Sequence, residues 1–254
     1  MKNNSRLYLV GILILLVVNS CSYLPEEVDW INGVQVDERS NYISLKPTTG
    51  TRFKTGLLFY PGGLVDPHAY IPSLQGLAVE GYTIVILKVS ANLAITNRNK
   101  AASYKVHFPE VEQWVLAGHS LGGVVSCMDI YDNPSEYVGA ILMASYNDGS
   151  ADLSDWDGAV LSLFGSEDRL ATVESIRANE DLLPRGINIE RLVDMPTSPT
   201  GGQTIYHQID GGNHAQFGSY GAQSEDGTAS ITRAAQQTAI VNYIRSFFNA
   251  NDWS

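Results

Sequence analysis

The sequence predicts an α/β protein with a mostly parallel central sheet and helices on both faces. Three observations predict it. Short, continuous apolar runs recur along the chain, as at Leu57-Leu58-Phe59-Tyr60 and Val115-Leu116-Ala117; runs of this kind suit strands buried on both faces. Stretches with apolar residues at helical spacing alternate with them. Several runs end in glycine-rich or acidic turns, where open α/β sheets gather their chemistry. With 254 residues and 44% hydrophobic content, the chain has enough apolar surface for one sizeable core, so a single domain over residues 30–254 is expected.

The N-terminus stands apart from that domain. Lys2 and Arg6 flank an apolar run over residues 7–18, and Asn19-Ser20-Cys21 follows. A basic region, a short apolar region and small residues before a cut site make a secretory signal over residues 1–20. The run is shorter than the roughly 20 residues that a spanning helix needs. Val18-Asn19-Ser20-Cys21 resembles a bacterial lipobox. The resemblance implies that Cys21 becomes the lipid-modified first residue, placing the protein outside the cytoplasm on a membrane anchor. Residues 21–29 then read as a tether. With Cys21 acylated, Cys127 has no disulfide partner; among Val124, Val125, Met128 and Ile130 it reads as a small buried hydrophobe. A net charge of −11 argues against a nucleic-acid partner, which would want a basic face.

The elements follow in order. Residues 34–45 alternate weakly and carry many polar groups, which predicts a peripheral hairpin. Residues 55–60 are a buried strand ending in Pro61-Gly62-Gly63-Leu64. Residues 68–80 carry Tyr70, Ile71, Leu74, Leu77 and Ala78 at helical spacing and stop at Gly81. Residues 82–89 are another buried strand, and a helix is expected over 101–108. Asp66 and His68 stand close together but lack a third ligand at a convincing spacing, so no metal site is expected there.

The strand Trp114-Val115-Leu116-Ala117 runs into Gly118-His119-Ser120-Leu121-Gly122, and a helix-like apolar pattern follows to about residue 131. Strand, tight turn and helix are the context that a nucleophile elbow needs. The turn lifts the Ser120 hydroxyl to the top of the sheet, and the helix N-terminus turns its free N–H groups, Leu121 first, towards any oxyanion formed there. A second oxyanion donor is expected from the main chain of Gly63 or Leu64, where paired glycines let the backbone approach a substrate.

Further strands are expected at residues 137–146, 159–164 and 204–209, with helices at 171–179 and 228–249. The last helix buries Ile231, Ala235, Ile240, Val241, Ile244, Phe247 and Phe248. Residues 181–202 hold Pro184, Pro196 and Pro199 and are long for a connection; they are expected to form a small cap over the pocket. An elbow serine takes its partners in the chain order serine, acid, histidine. Two histidines follow Ser120. His207 lies within a strand and reads as structural, whereas His214 follows a strand end in a glycine-rich loop. For the acid, Asp168 follows the tight exit Phe164-Gly165-Ser166. Its competitor Asp148 sits in Asn147-Asp148-Gly149-Ser150, where an aspartate bonds its own backbone.

Four segments together carry a family resemblance: Tyr60-Pro61-Gly62-Gly63, Gly118-His119-Ser120-Leu121-Gly122-Gly123, Phe164-Gly165-Ser166-Glu167-Asp168 and Gly211-Gly212-Asn213-His214-Ala215-Gln216-Phe217-Gly218. Asp226-Gly227-Thr228-Ala229 adds to them. The chain resembles the α/β-hydrolase superfamily, and more narrowly its alpha/beta hydrolase fold-5 family, over residues 57–248. The resemblance implies a serine hydrolase with the triad Ser120, Asp168 and His214. The resemblance supplies no substrate; the residues themselves lead to the expectation of a small-molecule ester or related acyl substrate, with no metal or organic cofactor. A carboxylic-ester hydrolase is the leading expectation. Thioester, lactone or dienelactone and peptide hydrolysis remain open beside it, as does an inactive fold used for binding.

Overall fold

A computed structural model describes residues 22–26 and 30–254; the signal segment and Cys21 lie outside the described residues. A nine-stranded sheet runs in the order β1-β2-β4-β3-β5-β6-β7-β9-β8. Its strands are β1 (Val34–Glu38), β2 (Tyr42–Pro47), β3 (Thr55–Tyr60), β4 (Thr83–Leu87), β5 (Gln113–His119), β6 (Gly139–Met143), β7 (Ala159–Gly165), β8 (Arg185–Asn188) and β9 (Gln203–Ile209). All pairings from β4 through β3 to β8 are parallel, while β1 and β2 pair antiparallel with each other and β2 with β4. The expected hairpin is therefore present, but only β1 is peripheral. β2 is almost wholly buried, because Ile43 and Leu45 extend the core past β4.

The helices are α1 (Ile71–Glu80), α2 (Leu121–Asp132), α3 (Val173–Arg177) and α4 (Arg233–Ala250). The crossover from β3 through α1 moves towards β4, and the one from β5 through α2 moves the opposite way, towards β6. Right-handed crossovers in opposite directions put α1 and α2 on opposite faces. α4 joins α1 on its face, where the Phe248 ring lies 4.8 Å from that of Tyr82. On the α2 side the buried carboxylate of Asp129 accepts from Tyr60 Oη at 2.9 Å and Tyr137 Oη at 3.0 Å, tying the helix to the strand before the glycine pair. The strand order reverses between β3 and β5. The carboxyl ends of the strands beside such a switch point are where ligands of open α/β sheets bind.

Local chemistry moves several boundaries from their expected places. α1 begins at Ile71 because Asp66 caps a short 3₁₀ turn, Pro67–Tyr70, through His68 N–H. Residues 101–107 form 3₁₀ helix, not α-helix. α3 is shortened to Val173–Arg177: Thr172 caps it at Ser175 N–H, and the N–H groups of Leu170 and Ala171 turn back to Asp168. α4 starts at Arg233, capped by Thr232, and it buries Gln236 where Ala235 was expected.

The expected cap is the largest correction. Residues 181–202 supply the edge strand β8, and Ile189 accepts a hydrogen bond from His207 at 3.2 Å. The segment then passes beside α4 and ends with Thr200 bonded to Asn251. β8 lies four strands from β5, which at about 4.8 Å per strand is roughly 19 Å from the elbow. Ile187 of β8 and Ile189 just after it are spent on sheet pairing and core contact.

Candidate active site

Ser120 joins β5 to α2 with φ 52° and ψ −123°, a conformation that L-residues rarely adopt. Strain of this kind costs about 1–3 kcal/mol and persists only where the surroundings hold it. Here the surroundings are explicit. Ser120 N–H donates to Met143 O at 3.0 Å, and Ser145 Oγ donates to Ser120 O at 2.7 Å. A Cβ on Gly122 would strike the Tyr60 carbonyl, so only glycine lets α2 start this close to β3. Ser120 and Leu121 are both partly exposed at the carboxyl end of β5.

Asp168 and His214 meet from β7 and β9. His214 Nδ1–H donates to Asp168 Oδ2 at 2.8 Å, and both side chains are almost fully buried. A carboxylate can only accept, so the bond fixes the tautomer and leaves Nε2 with its lone pair. The other carboxylate oxygen accepts from Leu170 N–H at 2.8 Å and Ala171 N–H at 2.7 Å, which sets the plane of the acid. The ring of His119, the neighbour of Ser120, lies 4.5 Å from that of His214. The structure thus pairs Asp168 with His214 and sets the His214 ring beside the residue that precedes Ser120. Asp148 stays out of this pairing: its Oδ1 accepts from Ser150 N–H at 3.0 Å, the self-bonding turn that its sequence predicts.

The two candidate donors after β3 separate cleanly. Leu64 N–H donates to Asn92 O at 2.6 Å and Leu64 holds φ 62°, so its N–H is committed and the expectation for Leu64 is corrected. Gly62 N–H is also committed, to Tyr70 Oη at 2.9 Å. Gly63 N–H carries no such bond among the described residues. A Cβ on Gly63 would lie 3.3 Å from Leu121 Cδ2, which puts its backbone beside the start of α2. Leu121 N–H opens the helix and has no acceptor within it.

Several residues that build the site were not found from the sequence. Tyr70 accepts from Gly62 N–H, so its own hydrogen goes to His119 Nδ1 at 2.8 Å. His119 is fully buried and stacks on Phe217 at 5.7 Å. Burial first, and the neighbouring His214 second, hold its imidazole well below the ordinary value, so it stays neutral. Asp226 accepts from three N–H groups: His214 at 3.2 Å, Ala215 at 2.9 Å and Gly227 at 2.7 Å. Gln236 pairs with the main chain of Asn213 in both directions, at 3.1 and 2.8 Å. Its sole sequence signal was its place on a helix face otherwise filled with apolar residues.

The remaining candidates have structural partners. His207 stacks on Tyr243 with centroids 3.7 Å apart. His68 bonds Asp66 at 2.6 Å and lies 3.2 Å from Glu38. Cys127 is buried, and that burial, with Asp148 nearby, pushes its thiol up to about 12. It has no thiolate character at neutral pH.

A family model described as the alpha/beta hydrolase family matches residues 56–195 and 196–238, and so spans β3, the elbow, Asp168 and His214. The chain belongs to the alpha/beta hydrolase family. The match covers most of the sheet and leaves out β1, β2 and the segment before them. A search of curated proteins finds no match. Within this alpha/beta hydrolase, the elbow and the loops after β3, β7 and β9 all open at the carboxyl edge of the sheet.

Proposed function

We propose that this alpha/beta hydrolase is a serine hydrolase of carboxylic esters, working through an acyl-enzyme on Ser120. One observation carries the reading: a buried histidine whose Nδ1 bonds a buried aspartate at 2.8 Å, at the same sheet edge as a strained serine that opens a helix. A serine hydroxyl is a poor nucleophile until a base takes its proton. In this reading His214 Nε2 accepts the Ser120 proton as Oγ attacks the ester carbonyl. The new oxyanion accepts from Leu121 N–H and Gly63 N–H. The C–O bond to the alcohol then breaks, and His214 gives its proton to the departing oxygen. Water, deprotonated by His214, attacks the acyl-enzyme and releases the acid. Asp168 holds the tautomer and stabilises the imidazolium between the two proton transfers.

His119 supports this scheme as a neighbour that stays neutral. A second charge 4.5 Å from His214 would oppose formation of the imidazolium. We further propose that the protein works outside the cytoplasm on a lipid anchor at Cys21, on the strength of its basic, apolar and lipobox-like N-terminal sequence. Purified protein is to be tested on chromogenic esters of graded acyl length. The wild type turns over short acyl esters, and Ser120→Ala loses on the order of 10⁴-fold or more in turnover with its fold intact. Turnover retained in Ser120→Ala overturns the reading, and a wild type with no turnover on any ester points instead to a binding role.

A further inference from the structure

Residues 22–26, the described part of the expected tether, are bonded to the domain. Tyr23 N–H donates to Leu64 O at 2.8 Å, and Asp66 N–H donates to Tyr23 O at 2.9 Å, so Tyr23 pairs with Val65 as a short parallel bridge. Glu26 N–H donates to Ser219 O at 2.8 Å, and the Glu26 carboxylate pairs with Arg233. The Tyr23 ring lies 5.4 Å from that of Tyr220. Asn92, whose carbonyl holds Leu64 N–H, also bonds Ser22 Oγ at 3.4 Å. Residues 22–26 therefore bond to both sides of the candidate site. One side is the loop that carries Gly63, and the other is the chain just past His214.

Cys21 is joined to Ser22 by one peptide bond, so a lipid on it starts about 4 Å of chain from a residue docked on the active-site rim. A flexible tether of about 20 residues would instead let the domain wander roughly 25 Å from the bilayer. Two large apolar side chains point to solvent on the segments that meet at this rim: Leu24 at 69% exposure, next to Tyr23, and Ile95 at 41%, in the turn after Asn92. Among the described residues no helix is long and apolar enough to cross a membrane.

We infer that the rim of the Ser120 site is held at the lipid surface and that the substrate is a long-chain acyl ester resident in that membrane. The inference rests on the serine-hydrolase reading and on acylation of Cys21. Each methylene of an acyl chain lowers its aqueous fraction roughly fourfold, so an enzyme facing water meets almost no long-chain ester. A site tied to the bilayer by one residue meets that ester at its local concentration.

The test uses full-length protein purified from membranes and reconstituted in phosphatidylglycerol–phosphatidylethanolamine vesicles. The vesicles carry a fluorogenic long-chain ester, and a soluble acetyl ester serves as control. A 20-residue Gly/Ser linker beginning with serine, inserted between Cys21 and Ser22, keeps the anchor and the docked segment but adds slack. It is expected to lower hydrolysis of the vesicle-borne ester about tenfold and to leave the acetyl ester within about twofold. Leu24→Asp with Ile95→Asp is expected to do the same without lengthening the chain. Equal rates on the vesicle-borne ester with and without the linker overturn the inference while leaving the hydrolase reading standing, as does an intact mass without acyl chains on Cys21. If the wild type turns over neither ester and Ser120 takes no fluorophosphonate, the hydrolase reading itself fails and the inference falls with it.

Discussion

At Asp168 the choice between two acids is a matter of where hydrogen bonds are already spent. Asp168 gives one oxygen to His214 and the other to two main-chain N–H groups, while Asp148 is occupied by Ser150. Replacing the working acid by asparagine keeps its shape but favours the wrong tautomer of the histidine. Asp168→Asn is therefore expected to lose about 10⁴-fold in turnover. Asp148→Asn should stay within roughly tenfold, about 1.4 kcal/mol of barrier. Steady-state turnover of both variants on one short ester checks this, and the reverse order contradicts it. The self-bonding turn at Asp148 was legible in the sequence because turn chemistry is local. The exclusion of Leu64 was not, since its N–H is claimed by Asn92, 28 positions along the chain.

At the scale of elements, the loop after β9 is held by its neighbours rather than by its own turn. Asp226 ties the main chain of His214 and Ala215, and Gln236 of α4 clamps Asn213. The connection before α4 is thus part of the site, which is why the helix starts at Arg233 instead of five residues earlier. Asp226→Ala leaves three N–H groups without their acceptor. It is expected to lower turnover about ten- to a hundredfold, since a small displacement of a catalytic group carries that cost. Asp226→Asn, which keeps one acceptor oxygen, should recover part of the loss, and KM should move little in either variant. Wild-type kinetics in Asp226→Ala would show that the loop holds itself. The supposed cap failed as a sequence reading for a related reason. Its prolines and polar residues mark irregular chain, but the pairing of Arg185–Asn188 with β9 is non-local and leaves no periodic trace in four residues.

Across the whole molecule, the central strands β3 to β7 and β9 were legible because burial on both faces forces continuous apolar runs. What the sequence concealed is the polar chemistry inside that core. Tyr70, His119 and Gln236 are all fully buried, and each takes its hydrogen-bond partners from distant segments. One consequence is a dependence of stability on pH. Burial foremost holds both His119 and His207 below the ordinary 6.5. Below 6.5 the unfolded chain binds protons that the folded chain refuses. Stability is then fully present above that value and falls as pH drops towards the folded values. The urea midpoint is expected to decline from about pH 7.5 to about pH 5, and His119→Gln should make the decline shallower. An unchanged slope in the variant would mean that His119 titrates normally in the folded protein.

In the proposed function the elbow at Ser120, served by His214, is a working nucleophile. The most direct measurement is the intact and peptide mass of the full-length protein after treatment with a fluorophosphonate. One adduct is expected, located on the peptide that contains Ser120, absent from Ser120→Ala and formed far more slowly in His214→Ala. No adduct on the wild type, or an adduct that persists in Ser120→Ala, would contradict it.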